Sequence, residues 1–510
     1  MLELDLAVPT RDGTALRGVH YRPVAASAPV VLTLTPYGAD GFHKYAPTFA
    51  SRGFHFVSLD ARGRGDSDGE YMPFRHDGAD GHDAVEWLAR QPWCNGDVVT
   101  FGGSYCGFVQ WAIAATRPPS LRAISPTASV YPGVDFPLFG NSSSYYVPRW
   151  LAYVSGRRSN QRLFEDEKFW RGAVQELFDQ EKPFRDFDLV AVGRRFPAFQ
   201  EWLDHPELAD YWDNFAPRDY RDIDVPVLTI TGQYDDDQPG ALTYYDKHLA
   251  ASASRHDLVI GPWDHGATRS SAREFGGLSF AESSVVDLTA LQADWYDWVL
   301  GRGERPEFLA DKVVYFHRGA DEWRSAAEFP RSSTDIDLKP SDRTELFLDP
   351  RVVAETPDDD AMFVADTLPG LAFLSDPLPV TDITGRPRVR LTLSSKLPDF
   401  DLLGQVYLLR GTGPAVLLGE VPFLARYRES LRRAEPWPSD VDVPVELAAF
   451  PFISLRTEPD DRIAVVVRQP HRLWQVNYQT GGDRADESPR DAVAGTVRVV
   501  GVPELALPRF

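Results

Sequence analysis

Short apolar runs alternate with amphipathic segments along the first third of the chain. Pro29–Gly38 and Gly53–Gly63 are rich in apolar and β-branched residues and end at turn residues, which predicts strands. Asp80–Pro92 has apolar residues at helical spacing and ends at a proline, which predicts a helix. Strands separated by helices imply a parallel sheet that is covered on both faces. The pattern therefore predicts an α/β domain.

Two later regions depart from this rhythm. Residues 141–220 contain amphipathic helical segments rich in Trp, Phe and Tyr, with no strand pattern. The alternation of strand and helix returns over residues 221–306 and resembles that of residues 1–140. Residues 307–510 carry short alternating strands, among them KVVYFHRG and RVRLTLSS, with frequent Pro, Gly and Asp. We therefore predict an α/β domain in two parts, a helical insertion between them, and a C-terminal β-sandwich of the jelly-roll type.

The stretch VVTFGGSYCGFVQW, Val98–Trp111, predicts a strand, a tight turn and a helix, with Ser104 at the turn. The nucleophile elbow of α/β-hydrolases has this context and usually reads G-x-S-x-G. Gly102 and Ser104 fit, but the fifth position is Cys106, and Gly107 comes one residue late. The positions two before and two after the serine must be small because strand and helix approach closely there, and cysteine is compact. A serine that only caps the helix is the alternative.

A nucleophilic serine needs an imidazole to take its proton and a carboxylate to orient that imidazole. In this fold they follow in the order serine, acid, histidine. Asp235 is the first carboxylate after the predicted strand VLTITG, although Asp236 and Asp237 compete with it. Of the 11 histidines, His265 lies just past a predicted strand in the expected loop. The order along the chain thus fits a triad of Ser104, Asp235 and His265.

The tetrahedral intermediate of acyl transfer also needs hydrogen-bond donors for its oxyanion. The backbone N–H of Tyr105, directly after the serine, is one candidate. The second donor is expected in the loop after an early strand, where the sequence TPYGADG places Tyr37. The phenol of Tyr37 could serve, or the ring could simply pack the loop; the residues alone leave both open.

Longer segments carry a family resemblance, among them RDGTALRG, DARGRGDSDGE, WCNGDVVTFGGSYCG, DHPELADYW and GPWDHG. The chain resembles the cocaine-esterase and X-prolyl dipeptidyl-peptidase family of serine hydrolases, together with α-amino acid ester hydrolases and cephalosporin acylases. The elbow of that family reads G-x-S-Y-x-G, which residues 102–107 satisfy. The resemblance implies Ser104 as nucleophile, His265 as general base and then acid, and Asp235 as its orienter. It also implies an oxyanion hole of Tyr37 and Tyr105, in an α/β-hydrolase domain with an inserted helical cap and a C-terminal jelly roll.

The substrate is less well specified. Aromatic residues of the cap, including Trp150 and Trp170, predict an apolar pocket, although most cap aromatics would form the cap's own core. The α-amino acid ester hydrolases resembled here hold the ammonium group of the substrate with a carboxylate cluster. Asp135 and Asp237 stand at two positions of that pattern, but the third is Gln238, so the cluster is incomplete. Solvated loop acids are the alternative.

Composition narrows the expected compartment and partners. The chain has 510 residues, 43% of them hydrophobic and 25% charged, which is typical of a soluble globular protein. With a net charge of −22, we expect neither nucleic acid nor a membrane surface as a partner. Two cysteines and no secretory signal pattern predict the cytoplasm. No His/Cys cluster has ligand spacing, so we expect no metal and no cofactor.

These features predict a serine hydrolase that cleaves a small-molecule carboxylic ester or amide through a covalent acyl-enzyme, as a carboxylesterase or acylase does. One alternative is an aminoacyl ester hydrolase or X-prolyl dipeptidyl-peptidase that recognises a free α-amine. A second is an acyltransferase that uses the same intermediate. A third is a non-catalytic binding protein built around the jelly roll. A monomer and a homo-oligomer both remain open.

Overall fold

A ten-stranded sheet forms the centre of the structure. The structure is a computed structural model that describes residues 1–329, 333–353, 362–447 and 449–508. The strands up to residue 326 are β1 (Leu2–Pro9), β2 (Ala15–Tyr21), β3 (Ala28–Thr35), β4 (His55–Asp60), β5 (Cys94–Ser104), β6 (Leu121–Ser129), β7 (Val227–Tyr234), β8 (His256–Asp264), β9 (Glu274–Phe275), β10 (Leu278–Ser279), β11 (Val313–His317) and β12 (Glu322–Ala326). β9 and β10 pair with each other. The other ten lie in the order β1-β2-β4-β3-β5-β6-β7-β8-β11-β12.

The strands from β4 to β11 in this order are all parallel to their neighbours, and the outer pairs are antiparallel. Parallel strands place their carboxyl ends at one edge of the sheet, which is where active sites of open α/β sheets form. The loops after β3, β5, β7 and β8 therefore meet at a common edge.

Helices cover both faces of the sheet and fill the insertion. They are α1 (Ala46–Ser51), α2 (Asp77–Ala89), α3 (Tyr105–Ala115), α4 (Tyr146–Tyr153), α5 (Gln161–Phe164), α6 (Glu167–Asp179), α7 (Phe187–Val192), α8 (Pro197–Leu203), α9 (Asp210–Asp213), α10 (Gln238–Ala251) and α11 (Leu288–Val299). Alternate residues of β3 show the two-sided burial: Val30 packs in one apolar cluster with α2 and α3, and Val31 packs in another with α1 and α11. Within the described residues, no helix is long and apolar enough to cross a membrane.

The six helices α4 to α9 lie between β6 and β7 and form the insertion predicted from its aromatic texture. Their buried aromatic side chains belong to the same apolar cluster as residues of β3 and α3, including Trp150, Trp170 and Trp202. The insertion is therefore packed onto the α/β domain through a continuous core, above the edge where the strand ends meet.

The C-terminal part is a β-sandwich, as predicted. Its strands are β13 (Ser333–Ile336), β14 (Glu345–Leu348), β15 (Val364–Ala365), β16 (Leu371–Leu374), β17 (Asp382–Gly385), β18 (Arg388–Ser395), β19 (Asp401–Leu409), β20 (Ala415–Leu424), β21 (Val443–Leu447), β22 (Ile453–Arg456), β23 (Arg462–Arg468) and β24 (Gly495–Pro508). One five-stranded sheet holds β13, β14, β18, β21 and β24, and the other runs β15-β20-β19-β23-β16. A single apolar cluster contains residues of both sheets, among them Leu391 and Val465.

Two strands that were expected in the sandwich, β11 and β12, belong to the large sheet instead. The segment KVVYFHRG was expected in the sandwich, but Val313–His317 pairs in parallel with β8 and extends the large sheet. All five of its residues are buried. A short apolar run indicates a buried strand but does not indicate its neighbour in the sheet. The pattern could therefore not distinguish the large sheet from the sandwich.

Candidate active site

Ser104 lies at the turn between β5 and α3. Its backbone has a φ of 61° and a ψ of −128°, a strained conformation for a residue with a side chain. A Cβ atom on Gly102 would lie 2.6 Å from Cβ of Cys106, and one on Gly107 would lie 2.9 Å from Cα of Ser129 on β6. These two clashes explain the glycines of the motif: position 102 has no room for a side chain against Cys106, and position 107 has none against the neighbouring strand.

Asp235 and His265 follow β7 and β8 and meet at the same edge. Nδ1 of His265 lies 2.9 Å from Oδ1 of Asp235, whose side chain is fully buried. The other carboxylate oxygen of Asp235 accepts a hydrogen bond of 2.8 Å from the hydroxyl of Thr231. Asp236, in contrast, is exposed. The carboxylate that is fixed on the imidazole is thus that of Asp235, and Nε2 of His265 lies on the opposite edge of the ring, 3.5 Å from Nη1 of Arg269.

A second carboxylate acts on the same imidazole. Oδ2 of Asp237 lies 3.5 Å from Nδ1 of His265. Burial alone would lower the pKa of His265, but the carboxylates of Asp237 and Asp235 outweigh burial and the opposing charge of Arg269. The pKa of His265 is therefore raised above its usual value.

Tyr37 stands in the loop after β3, and its hydroxyl belongs to the site. Nε1 of Trp150 donates a hydrogen bond of 3.2 Å to that hydroxyl, which also interacts with the side chain of Ser104. Burial raises the pKa of the Tyr37 phenol. The phenol therefore keeps its proton at neutral pH and can donate it in a hydrogen bond.

Tyr105 is the first residue of α3, so its backbone N–H is among those that have no partner within the helix. Its side chain is anchored elsewhere: the hydroxyl donates to Oδ2 of Asp77 at 2.8 Å and accepts from the backbone N–H of Phe74 at 2.6 Å. Burial raises the pKa of Asp77 to about 7. Sequence reasoning missed Asp77, which lies before the predicted helix Asp80–Pro92 and proves to be the first residue of α2.

The site opens into a cavity of about 690 Å³. Trp150 and Trp170 are both buried, and the indole of Trp170 donates a hydrogen bond of 2.7 Å to the carbonyl of Leu163. The cavity brings together every candidate residue of the sequence analysis, namely Tyr37, Ser104, Tyr105, Asp135, Trp150, Trp170, Asp235, Asp237 and His265.

One wall of the cavity comes from the β-sandwich, which the sequence could not show. Glu420 on β20 accepts a hydrogen bond of 2.8 Å from the amide of Gln405 on β19. His471 lies beside it, with Nε2 3.7 Å from Oε1 of Glu420. These three residues line the same cavity as Ser104. The C-terminal domain thus contributes polar side chains to the space where a substrate would lie.

Asp135 and Asp237 form a second carboxyl group pair in the cavity. Asp135 accepts hydrogen bonds from the backbone N–H groups of Tyr131 at 2.7 Å and of Gly240 at 2.5 Å. A Cβ atom on Gly240 would lie 2.1 Å from Asp135, so glycine is required there. Burial raises the pKa of both carboxyl groups well above the usual value, and the charge of Asp135 raises that of Asp237 further.

Gln238, at the third position of the acidic pattern, has a different role. Its amide donates 2.7 Å to the carbonyl of Gly232 and accepts 2.6 Å from the backbone N–H of Phe452 in the sandwich. Gln233 makes a parallel link, because its side-chain oxygen accepts 3.1 Å from the N–H of Ser454. Two buried amides thus join the loop of Asp235 to the C-terminal domain.

Among the described residues, Asp235, Asp237 and His265 are also the ones whose ligand atoms cluster closely enough to hold a metal ion, within 4.8 Å of one another. The hydrogen bond between Nδ1 of His265 and Asp235 already uses the atoms such an ion would need. The expectation that the reaction needs no metal stays a prediction.

The chain matches known proteins over most of its length. Residues 12–267 match the family model of X-Pro dipeptidyl-peptidase (S15 family), and residues 309–469 match that of the X-Pro dipeptidyl-peptidase C-terminal non-catalytic domain. Cocaine esterase of Rhodococcus sp. is 29% identical over 360 residues, which are 65% of this chain and 60% of that esterase. The chain thus spans less than two thirds of the length of this curated relative.

Two solved structures share the fold over 100% of this chain and 96% of theirs. An aminopeptidase from a marine sediment thaumarchaeote superposes with a TM-score of 0.86 at 20% identity, and an α-amino acid ester hydrolase superposes with a TM-score of 0.84 at 21% identity. These likenesses confirm the predicted fold, an α/β-hydrolase domain followed by a β-sandwich.

Proposed function

Because the chain belongs to the X-Pro dipeptidyl-peptidase (S15) family, we propose that it is a serine hydrolase of small-molecule carboxylic esters or amides. The observation that carries the proposal is the convergence of three loops on one cavity. Ser104 stands at a strained turn, and His265 is held by a buried carboxylate 2.9 Å away. A serine that only capped α3 would not need this geometry, and its side chain makes no cap hydrogen bond there.

The proposed first half-reaction starts at Ser104. Its hydroxyl oxygen attacks the acyl carbon while Nε2 of His265 takes the proton, and Asp235 stabilises the imidazolium that results. The oxyanion accepts hydrogen bonds from the Tyr37 hydroxyl and the Tyr105 backbone N–H. His265 then gives the proton to the leaving alcohol or amine, and the acyl group stays on Ser104. Water repeats the sequence in the second half-reaction and releases the acid.

Covalent labelling tests this proposal. A fluorophosphonate should label the wild-type protein once and should not label Ser104→Ala. The variant should retain its circular dichroism and lose ester turnover. A variant that still hydrolyses the ester, or a wild type that is not labelled, would remove Ser104 from the nucleophile role. The second outcome would also favour a non-catalytic binding protein.

A second candidate, recognition of a free α-amine by the substrate pocket, is favoured by the pair Asp135 and Asp237. Both carboxyl groups are largely buried in the cavity that contains Ser104, and no cationic side chain of the described residues forms an ion pair with Asp135. An ammonium group of the substrate would supply the missing positive charge. This would make the protein an aminoacyl ester hydrolase or an X-prolyl dipeptidyl-peptidase.

Phenylglycine methyl ester, compared as the free amine and as the N-acetyl derivative, separates the two candidates. A preference in kcat/KM for the free amine that is lost in Asp135→Asn and Asp237→Asn supports amine recognition. Equal rates, or a preference for the acetylated ester, indicate a general carboxylesterase or acylase. Added alcohols or amines that appear in the product would indicate acyl transfer instead of hydrolysis.

We also propose a location in the cytoplasm, which the state of the two cysteines supports. Cys94 and Cys106 are both free and buried, and their burial raises the pKa of both thiols. Neither thiol is therefore reactive or available for a disulfide. The expected partner is the small-molecule substrate, and sedimentation velocity would decide between a monomer and a homo-oligomer.

A further inference from the structure

Arg269 lies one turn after His265, and its guanidinium approaches the imidazole. Nη1 of Arg269 is 3.5 Å from Nε2 of His265. The segment between them is fixed by local hydrogen bonds: the backbone N–H of Thr268 donates to the carbonyl of Asp264 at 3.2 Å, and the hydroxyl of Thr268 donates to the carbonyl of His265 at 2.7 Å. The position of the guanidinium is therefore set by the turn that presents His265.

The aliphatic part of Arg269 rests beside the nucleophile. A Cβ atom on Gly103, the residue before Ser104, would lie 3.2 Å from Cδ of Arg269. The arginine thus spans the short space between the serine turn and the catalytic imidazole. A larger residue at position 103 would displace it.

The charges around His265 are divided between the two edges of its ring. The Nδ1 edge faces the carboxylates of Asp235 at 2.9 Å and Asp237 at 3.5 Å. The Nε2 edge faces the guanidinium of Arg269. During acyl transfer, Nε2 delivers the proton to the leaving group. Arg269 therefore stands on the leaving-group side, and the carboxylates stand on the opposite side.

Arg269 has an unused capacity for hydrogen bonding. It is half-buried, and among the residues that the structure describes no ion pair joins it to a carboxylate; its side-chain hydrogen bond is the one to His265. Arg149, which lines the cavity, is instead paired with Glu167. A guanidinium carries five N–H donors in a planar fork that matches a carboxylate. A partly desolvated guanidinium that has no anionic partner gains a favourable ion pair when an anion binds beside it.

We propose that Arg269 is a subsite for a carboxylate on the leaving group of the substrate. The substrate class is then an ester or amide whose released alcohol or amine is itself an acid, such as a hydroxy acid or an amino acid. The inference rests on the proposed function, because it takes the proton delivery by His265 as given. Arg269 binds the departing half, and the residues around Tyr37 and Trp150 face the acyl half.

Two esters with the same acyl group test the subsite. 3-Acetoxybenzoate and methyl 3-acetoxybenzoate release similar phenols, but only the phenol released from the first carries a carboxylate. The wild type should prefer the anionic ester in kcat/KM by roughly tenfold or more, the range expected of a charge-assisted hydrogen bond. Arg269→Gln should bring the ratio of the two kcat/KM values close to one.

Two variants serve as controls. Arg269→Lys keeps the charge but not the fork and should retain part of the preference. Arg273→Gln removes a cation from the same segment, where Arg273 donates to the carbonyl of Phe280 at 3.1 Å, and should leave the ratio unchanged. A wild-type ratio near one, or an equal loss for both esters in Arg269→Gln, would overturn the subsite. The equal loss would mean that Arg269 only orients the imidazole of His265 or shifts its pKa.

A binding measurement keeps the test decisive if acetyl esters are not turned over. 3-Hydroxybenzoate should slow fluorophosphonate labelling of Ser104 in the wild type, methyl 3-hydroxybenzoate should slow it less, and Arg269→Gln should abolish the difference. Equal protection by both compounds in the wild type would overturn the subsite. Failure of the label to react at all would instead refute the proposed hydrolase, and the subsite with it.

Discussion

Trp150 donates a hydrogen bond from its indole nitrogen to the hydroxyl oxygen of Tyr37, over 3.2 Å. Trp150 belongs to α4 of the insertion, and Tyr37 belongs to the loop after β3 of the sheet. The bond uses a lone pair of the phenol and leaves its proton free for another acceptor. The insertion therefore orients the hydroxyl that we assign to the oxyanion hole, besides enclosing the cavity.

Removal of this hydroxyl should slow the chemical step. Tyr37→Phe should lower kcat by roughly 10²- to 10³-fold, because one of two oxyanion donors is lost. Trp150→Phe should lower kcat by only about two- to tenfold, since it removes a neutral hydrogen bond that orients the phenol. Steady-state kinetics with an ester substrate would measure both effects.

Tyr153→Phe is the matched control, because its ring stacks on Tyr37 with centroids 5.5 Å apart. It should keep kcat within about threefold. A loss of less than threefold in Tyr37→Phe would mean that another group donates to the oxyanion.

The choice of acid can be tested by paired substitutions. Asp235→Asn should lower kcat by roughly 10³- to 10⁴-fold, because an amide cannot hold the imidazole in the tautomer with its proton on Nδ1. Asp236→Asn should have a mild effect, since that side chain is exposed. Burst and steady-state kinetics, with thermal melting as a check on folding, would compare the two variants. The reverse order of severity would show that Asp236 is the orienting acid.

The acid limb of the pH profile should report His265. The general base must be neutral, and its pKa is raised, so kcat/KM should fall on acidification from a midpoint above 6.5. Arg269 carries a permanent positive charge that lowers the pKa of His265, and Arg269→Gln should therefore move the limb to still higher pH. Profiles with a neutral ester would measure both midpoints. A limb that moves to lower pH would contradict the arrangement of charges around the imidazole.

A lower pH should also reduce the free energy of unfolding, through two buried histidines that do not line the cavity. His20 and His55 are buried, with Nε2 of His20 2.8 Å from Nδ1 of His55, and both rings pack against Trp93. Burial lowers the pKa of each to about 4, and for His20 the nearby His55 adds to the effect. Because these folded-state pKa values lie below the unfolded value near 6.5, the pair's contribution to stability is complete above pH 6.5 and is lost as the pH falls from 6.5 toward 4. The loss should amount to about a few kcal/mol.

Denaturation by urea at pH 8, 6 and 5 would measure this loss. His20→Gln should reduce the dependence on pH, whereas His43→Gln, at an exposed position, should not. A stability that is constant between pH 8 and pH 5 would show that the two histidines have the same pKa in the folded and unfolded states.

The local parts of the site were predictable from sequence because short-range sterics determine them. Gly102, Ser104 and Gly107 reveal the turn, since a side chain at either glycine would meet Cys106 or β6. Asp235 and His265 follow from the rule that catalytic groups lie after the strands of a parallel sheet. Each of these inferences needs only one element and its immediate successor.

The parts formed between distant segments were not predictable in the same way. Glu420 and His471 line the cavity because the β-sandwich packs beside it, and no local sequence pattern indicates that contact. Likewise, Val313–His317 has the pattern of any buried strand, and only its partner β8 assigns it to the large sheet. Asp77 supports Tyr105 from another helix, so its role also depends on packing.

The two glutamines on either side of Asp235 also bear on how far the chain can be shortened without loss of activity. Gln233 and Gln238 bond to the backbone at Ser454 and Phe452, on either side of the carboxylate that holds His265. Trimming the chain after the α/β-hydrolase part would leave the side-chain oxygens of both buried amides without their hydrogen-bond donors and would release the loop that carries Asp235 from the sandwich. The family description calls the C-terminal domain non-catalytic; in this protein it nevertheless holds in place the loop of Asp235, the acid of the proposed triad.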